Sequence, residues 1–499
     1  MEKFIANPEN KGVFVIYTGG TIGSMPKDPN DPDSPQIVVD WETFMKQDKA
    51  QDFTEEKLGF RLGSYSTQPL DSCNIGPAEW KEMADAIKKN YNDYEGFVIL
   101  HGTDTMVYTA SALSFMLQNL AKPVIITGAQ LAFLFNPRND GFQNMLTALL
   151  IANPNYTKIP VIPEVCIYFS GKLFRGNRAR KINASGYDAY QSPNYAPLAI
   201  AGESIQVDER LIRKIPQNKA FTTQTKLEKN VVAVNFFPGI QDGEILQKIL
   251  TDKALKGVVL MAYGSGNIPT KHEIMQLLKE TTARGVVAYV VTQCGGGKVE
   301  LGMYETSALL LEAGVVSGVD ITPEAALTKL MVLLGDEDMN VHDIALRTQQ
   351  NLAGEQSLSI YTTEFKKDSA GDLSKDVIRK RIPAENIQGL DSFDNADRIS
   401  KIMLRFRNGR ILNSNANEAV EISLFIDMGS DDELNENSPN YLGTFKKAAN
   451  GTESMLFFDI TEKSRKILSN RASFTIKLKT PTGLFTWSSL ELVLFVSDL

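Results

Sequence analysis

The chain is poor in the residues on which many small functional modules depend. Among 499 residues there are three cysteines and three histidines. Cys73, Cys166 and Cys294 lie far apart. That spacing excludes a disulfide scaffold and any CxxC zinc module, and it suits a reducing, cytoplasmic compartment. His101, His272 and His342 are equally scattered, so no metal site is expected and a Ser-His-Asp triad would have few candidates. Basic residues are not in surplus. The 52 Lys and Arg against 60 Asp and Glu give a net charge of −8, contrary to the usual footprint of a nucleic-acid binder. Long apolar runs are missing too. The longest, Val124 to Phe135, is interrupted by Thr127, Gly128 and Gln130 and falls short of the ~20 residues that span a bilayer. The opening MEKFIANPEN has no apolar h-region, so no signal peptide is expected. Neither a nucleic acid nor a membrane is expected as a partner.

What is present is alternation. Apolar runs ending in glycine, such as Val13–Tyr17, Phe97–Leu100, Val124–Ile126, Val258–Met261 and Val286–Val291, read as strands buried on both faces of a parallel sheet. Between them, Glu79–Tyr91 and Met106–Leu120 repeat apolar residues at helical spacing. The pattern predicts α/β architecture with mostly parallel sheets. A polar segment from 206 to 230 reads as a connector between an N-terminal α/β unit, 1–205, and a second one, 231–357. Residues 358–398 are charged and read as a linker. From 399 to 499, short alternating runs including Ile402–Phe406, Val420–Ile426, Ser473–Leu478 and Leu490–Phe495 predict an antiparallel β-sandwich.

Three segments are rich in groups that could carry chemistry. The first is Tyr17-Thr-Gly-Gly-Thr-Ile-Gly23. Its glycines permit close backbone approach at a strand end, and it reads as a turn, a phosphate loop or a presented Thr21. It lacks the G-x-G-x-x-G spacing of a dinucleotide loop. The second, His101-Gly-Thr-Asp-Thr105, precedes a helix. It could cap that helix, or it could offer N–H donors and a carboxylate to a ligand. The third, Gly176 to Asn183, reads either as a solvated loop or as a frame that turns Lys181 inward as a base or polarising cation. Gly295-Gly-Gly-Lys298 is followed by Val299 and lacks P-loop spacing.

The order of the first two motifs, with Gly96 to Leu117, Leu173-Phe-Arg-Gly-Asn-Arg178, Tyr263-Gly-Ser-Gly-Asn267 and Thr292-Gln-Cys294, closely resembles the bacterial L-asparaginase family, in its cytoplasmic type I branch. The likeness covers roughly residues 12 to 357. It implies a two-domain α/β fold in dimers or tetramers that hydrolyses L-asparagine to aspartate and ammonia without a cofactor. Position by position, it implies Thr21 as nucleophile, with Thr103, Asp104 and Lys181 as the second catalytic group. Asp71, Ser72 and Cys73 would hold the substrate's α-carboxylate and α-ammonium, together with Thr103 and Asp104. Asn267 would reach a neighbouring subunit's site. Thr292 and Cys294 match part of a regulatory asparagine site, but Met261 stands where that site has an arginine, and Cys294 reads equally as a buried core thiol. The tyrosine that relatives often carry in the loop after the nucleophile is absent between Tyr17 and Tyr65, with Gln36 near its place.

Residues 358–499 lie outside this likeness. Tyr441–Phe445 with Leu456–Thr461 resembles the C-terminal sandwich of plant polyphenol oxidases, without the His or Cys that copper would need. Assembly, stability or partner binding is the expected role. Two other functions share the motifs: the amidase subunit of a tRNA-dependent amidotransferase, and a non-catalytic binding or scaffold protein on the same fold.

Overall fold

The apolar runs become strands because helices cover both of their faces. The structure, a computed structural model, describes residues 10–497 except 29, 32–33, 216–217, 302–304, 365–370, 373–377, 384–397, 413–418, 427–436, 439, 449–453, 463, 465–472 and 480–483. Eight strands form the first sheet, in the order Ile205–Val207, Ala199–Ala201, Lys172–Arg175, Val165–Phe169, Val124–Thr127, Gly96–Leu100, Val13–Gly19, Leu62–Leu70. The last five are parallel neighbours. Tyr17 pairs with Leu100, and Gly19 with Leu70. The chain therefore leaves three adjacent strands at one edge of the sheet, after residues 19, 70 and 100. This is where α/β sheets place their ligands.

The helix Pro77–Asn90 buries Trp80, Met83, Ala84 and Ile87, the face its spacing predicts. The Gly76 N–H donates to Glu79 at 2.8 Å and starts it. The second helix runs Met106–Met116 and stops short of the expected Leu120. Leu117 and Gln118 pair instead with Thr223 and Thr222, and Asn119 turns the chain with a left-handed φ of 56°. The polar stretch after residue 205 is thus partly strand, and it is tied back to the first body.

The second body is a four-stranded parallel sheet: Val231–Asn235, Gly257–Ala262, Val287–Thr292, Val316–Ser317. Its helix Pro323–Leu334 packs on Met106–Met116, so the two bodies share one core. Within the second body Lys329, on that helix, and Glu355, both fully buried, form an ion pair at 2.6 Å. Lys329 also donates to the carbonyls of Thr348 and Gln350. Burial alone would raise the Glu355 carboxyl. Lys329 and the N–H groups of Leu352 and Ala353 outweigh it and hold the group below its ordinary value.

After residue 357 the chain becomes antiparallel sheet. Leu358–Glu364 and Ile399–Leu412 flank Ser489–Ser497. A second sheet joins Ile378–Pro383, Ser473–Lys479, Ala419–Ile426 and Tyr441–Ala448. The two sheets touch where Phe445 meets Phe458, with ring centroids 4.7 Å apart. The segment expected as a linker, 358–398, therefore carries strands of both sheets. Its charge pattern misled because the pairing partners lie about a hundred residues further on.

Removing one member of a buried ion pair leaves a stranded charge, which costs roughly 3–5 kcal/mol. Lys329→Met should lower unfolding free energy in urea by about that amount. Lys329→Met combined with Glu355→Gln should recover at least half of the loss. A single mutant as stable as wild type would show that neither charge of the pair depends on the other.

Candidate active site

Gly19 and Gly20 both take left-handed φ, 98° and 80°, and they turn the chain sharply at the end of the first strand. A Cβ on Gly20 would lie 2.3 Å from the Cα and N of Gly102. A Cβ on Gly102 would lie 2.7 Å from Ser72. The three loops after residues 19, 70 and 100 are therefore in close contact, Gly20 against the Gly102 backbone and Gly102 against the Ser72 side chain. The Gly20 N–H donates to Leu70 O at 3.0 Å, and Thr18 donates to Leu100 O at 2.9 Å. Thr21 opens a single 3-10 turn, Thr21–Gly23, and is half-buried.

The loop beyond it folds as a short hairpin, Ser24–Pro26 with Gln36–Val38, in which an exposed Gln36 pairs with Pro26. Tyr17 lies under the turn and is fully occupied. It donates to Val39 O at 2.7 Å and packs against Trp41 and Phe44. Burial, with Asp40 adding to it, pushes its hydroxyl pKa far up, so it cannot serve as a base. The place of the loop tyrosine is not taken by Tyr17.

The His101–Thr105 segment does not cap its helix with a side chain. Thr105 donates instead to Ser72 O at 2.6 Å, which fastens the second loop to the third. Thr103 and Asp104 turn to Lys181. The Lys181 ammonium lies 2.9 Å from Thr103 Oγ1 and 2.6 Å from Asp104 Oδ1. Lys181 sits on a two-stranded hairpin directly opposite Tyr190, and the buried Tyr190 hydroxyl donates to Thr103 O. Thr103 is thus held at its side chain by one residue of the hairpin and at its backbone by the other. The Asp104 side chain remains 67% exposed while that of Lys181 is 15% exposed, so the carboxylate can receive a ligand.

The stretch before Lys181 is not a solvated loop. Arg175, Asn177 and Arg178 are buried. Arg175 pairs with Glu164, and Arg178 with Asp320 at 2.8 Å. Asn177 and Arg178 donate to the carbonyls of Ala353 and Gly354. These bonds aim the lysine hairpin.

Of the other expected residues, Asp71 caps the turn Ser72–Asn74 through the Cys73 N–H, and Ser72 is buried at the Gly102 contact. Cys73 is exposed. Desolvation, then Asp71 and Asp104, raise its thiol pKa, so it is a poor nucleophile at neutral pH, and Asp104 is close enough to be felt there. Asn267, Thr292 and Cys294 belong to the second body and do not join this group. Asn267 closes a turn with Tyr263. Thr292 is buried and accepts from the Cys294 N–H at 3.1 Å. Cys294 is exposed rather than a core thiol, because the strand ends at Thr292 and the chain turns outward. Met261 is half-buried beside Val291.

The sequence offered no sign of Tyr190 and assigned His101 no role. His101 is completely buried; its Nδ1 lies 2.7 Å from Gly102 O, and its Nε2 lies 2.9 Å from Thr109 Oγ1, which Trp80 also bonds. A carbonyl can only accept, so Nδ1 carries a proton; burial disfavours a second one, which leaves Nε2 to accept from Thr109 in a neutral ring. Burial drops its pKa from 6.5 to about 4. The unfolded chain therefore binds this proton at a higher pH than the folded one. The stabilising contribution is complete above pH 6.5 and is lost as pH falls toward 4. The loss amounts to roughly 3 kcal/mol at ~1.4 kcal/mol per pKa unit. Urea unfolding followed between pH 7.5 and 4.5 should show a decline that is shallower by up to that amount in His101→Gln. Equal slopes in the two proteins would contradict the neutral ring.

Comparison with known proteins places this geometry in a family. The description "Asparaginase, N-terminal" matches residues 12–213, and "Glutaminase/Asparaginase C-terminal domain" matches residues 230–345. L-asparaginase 1 of Escherichia coli K12 is 40% identical over 349 residues, 70% of this chain and 98% of the relative. The human 60 kDa lysophospholipase is 42% identical over 291 residues, but the match spans 58% of this chain and about half, 49%, of that protein. The crystal structure of L-asparaginase I from Vibrio cholerae aligns with TM-score 0.61 and 37% identity, covering 70% of this chain and 99% of that one. The chain belongs to the asparaginase family, and it carries an additional antiparallel β unit after the shared region.

Proposed function

We propose that this chain is an L-asparaginase that hydrolyses the side-chain amide of L-asparagine to aspartate and ammonia. The observation that carries the reading is the Lys181 ammonium lying 2.9 Å from Thr103 and 2.6 Å from Asp104, at the sheet edge that also presents Thr21. In this reading the Thr21 hydroxyl attacks the amide carbon and forms an ester. The C–N bond breaks, and nitrogen leaves as ammonia with the proton given up by Thr21. Water then attacks the ester, aspartate departs, and the proton returns to Thr21. Thr103, held by Lys181, relays these protons. Asp104 and Asp71 take the substrate's α-ammonium, and the loop N–H groups around Ser72 take its α-carboxylate. No cofactor or metal takes part. Asn267, from the second body, serves the site of a neighbouring subunit in a dimer or tetramer. The three free cysteines agree with a cytoplasmic setting.

Ammonia release by the isolated chain tests the whole reading. Turnover of asparagine without a second protein supports it. Release from neither asparagine nor glutamine would leave the amidotransferase-subunit or scaffold reading.

The residue roles are separable. Thr21→Ala should lower kcat by several orders of magnitude in a folded protein, and near wild-type turnover would remove Thr21 as nucleophile. Lys181→Met should act mainly on kcat, by about 10²- to 10⁴-fold, the usual worth of proton-transfer assistance. Asp104→Ala should also raise KM and erase the preference for a free α-amino group over an N-acylated one. An unchanged KM and preference would assign the ammonium contact elsewhere.

A further inference from the structure

We propose that His101 is a positioning residue that locks the peptide plane between Gly102 and Thr103, and so aims the Thr103 N–H at the substrate's amide oxygen. This role rests on the asparaginase function proposed above. The need for a lock follows from the glycine. A Cβ at residue 102 would lie 2.7 Å from Ser72 Oγ, so the contact that closes the site admits no larger residue. Glycine also turns about its backbone bonds more freely than any other residue, and the next peptide plane is left able to rotate. The other restraints on Thr103 do not stop it. Lys181 holds the Thr103 hydroxyl, and Tyr190 holds the Thr103 carbonyl. A flip of the plane before Thr103 moves neither of those atoms.

His101 supplies the restraint from beneath, as the last member of a buried chain of hydrogen bonds. Trp80, on the helix Pro77–Asn90, donates through Nε1 to Thr109 Oγ1 at 3.0 Å. Thr109, on the helix Met106–Met116, bonds His101 Nε2 at 2.9 Å, and His101 Nδ1 bonds Gly102 O at 2.7 Å. An indole N–H can only donate and a carbonyl can only accept. The two ends therefore give the chain one direction: Trp80 to Thr109, Thr109 to His101, His101 to Gly102. Trp80, Thr109 and His101 are all buried, so water does not compete for these bonds. The two helices thus fix the ring, and the ring fixes the Gly102 carbonyl.

The C=O and N–H of a trans peptide point in opposite directions, and no cis bond occurs among the described residues. With the Gly102 carbonyl drawn down to the ring, the Thr103 N–H points away from it. Thr103 is 7% exposed, and among the described residues its N–H has no acceptor within the protein. A buried N–H calls for an acceptor, and the substrate supplies one. Its amide oxygen gains negative charge as Thr21 attacks, and one N–H aimed at such an oxygen is worth about 10²- to 10³-fold in kcat. A flipped plane would turn the Gly102 carbonyl toward that oxygen, acceptor against acceptor.

Two amide side chains separate the two nitrogens of the ring. His101→Asn places an N–H where Nδ1 stands and loses the bond to Thr109. His101→Gln reaches Thr109 and loses the donor to Gly102. The measurement is kcat and KM for ammonia release from asparagine by the full chain, with a crystal structure of each variant. His101→Gln should lose about a hundredfold in kcat, on the scale of one donor, with a much smaller change in KM, and its Gly102 carbonyl should turn away from residue 101. His101→Asn should keep at least a tenth of wild-type kcat, with the carbonyl in place. Equal losses in the two variants would make His101 an ordinary core residue and overturn the proposal, as would an unturned carbonyl in His101→Gln. A wild-type chain that releases no ammonia would refute the asparaginase function, and the carbonyl direction in the two crystal structures would still decide the lock. Should His101→Gln fail to fold, His101→Asn decides: a hundredfold loss of kcat with the Gly102 bond intact overturns the proposal, and retained turnover supports it.

Discussion

Gly20 and Gly102 approach so closely that a Cβ on the first would stand 2.3 Å from the backbone nitrogen of the second. The contact exists because their strands are parallel neighbours in register and both chains turn at the same edge. Ser72 joins from the next strand over and fills the space that a Cβ on Gly102 would occupy. Thr21, Ser72 and Thr103 come from positions scattered over some eighty residues, and the glycine contact, with the Thr18 and Thr105 hydroxyls bonded to neighbouring loop carbonyls, brings them into one place.

A second layer of constraint holds the lysine. The hairpin bearing Lys181 belongs to neither main sheet, so its position depends on buried ion pairs before it and across the junction. Arg178 with Asp320 and Arg175 with Glu164 anchor the approach, and Lys329 with Glu355 fixes the turn that receives Asn177 and Arg178. Such pairs contribute little net stability once desolvation is counted. Here their geometry makes the second α/β body a support for a site that the first body carries. His101 acts in the same sense: neutral and bonded at both nitrogens, it fixes the Gly102 carbonyl from beneath.

Much of this was legible in the residues. Short continuous apolar runs ending in glycine read as strands covered on both faces, and here they are. The two threonine motifs pointed to the edge where the structure brings them together. The parts that escaped depend on distant partners. Gly176–Asn183 could be read as a solvated loop, since nothing nearby in sequence reveals that Arg178 will meet Asp320. The helix from Met106 kept its apolar spacing to Leu120, yet a strand from residues 222–223 claimed its end. The 358–398 segment looked like a linker because the strands it pairs with come near the chain's end. Tyr190 belongs to no motif, and only the hairpin register sets it opposite Lys181.

The most direct test of this account changes no group assigned to the chemistry. Gly20→Ala adds one methyl at a left-handed position facing Gly102, and it must push the Thr21 loop away from Thr103 and Lys181. A displacement of about 1 Å can cost on the order of 10²-fold in rate. The measurement is kcat for ammonia release from asparagine by folded Gly20→Ala protein, with Thr21, Thr103, Asp104 and Lys181 intact. The expected result is a loss of at least about a hundredfold. A kcat within a few-fold of wild type would show that the glycine contact does not set the geometry of the site.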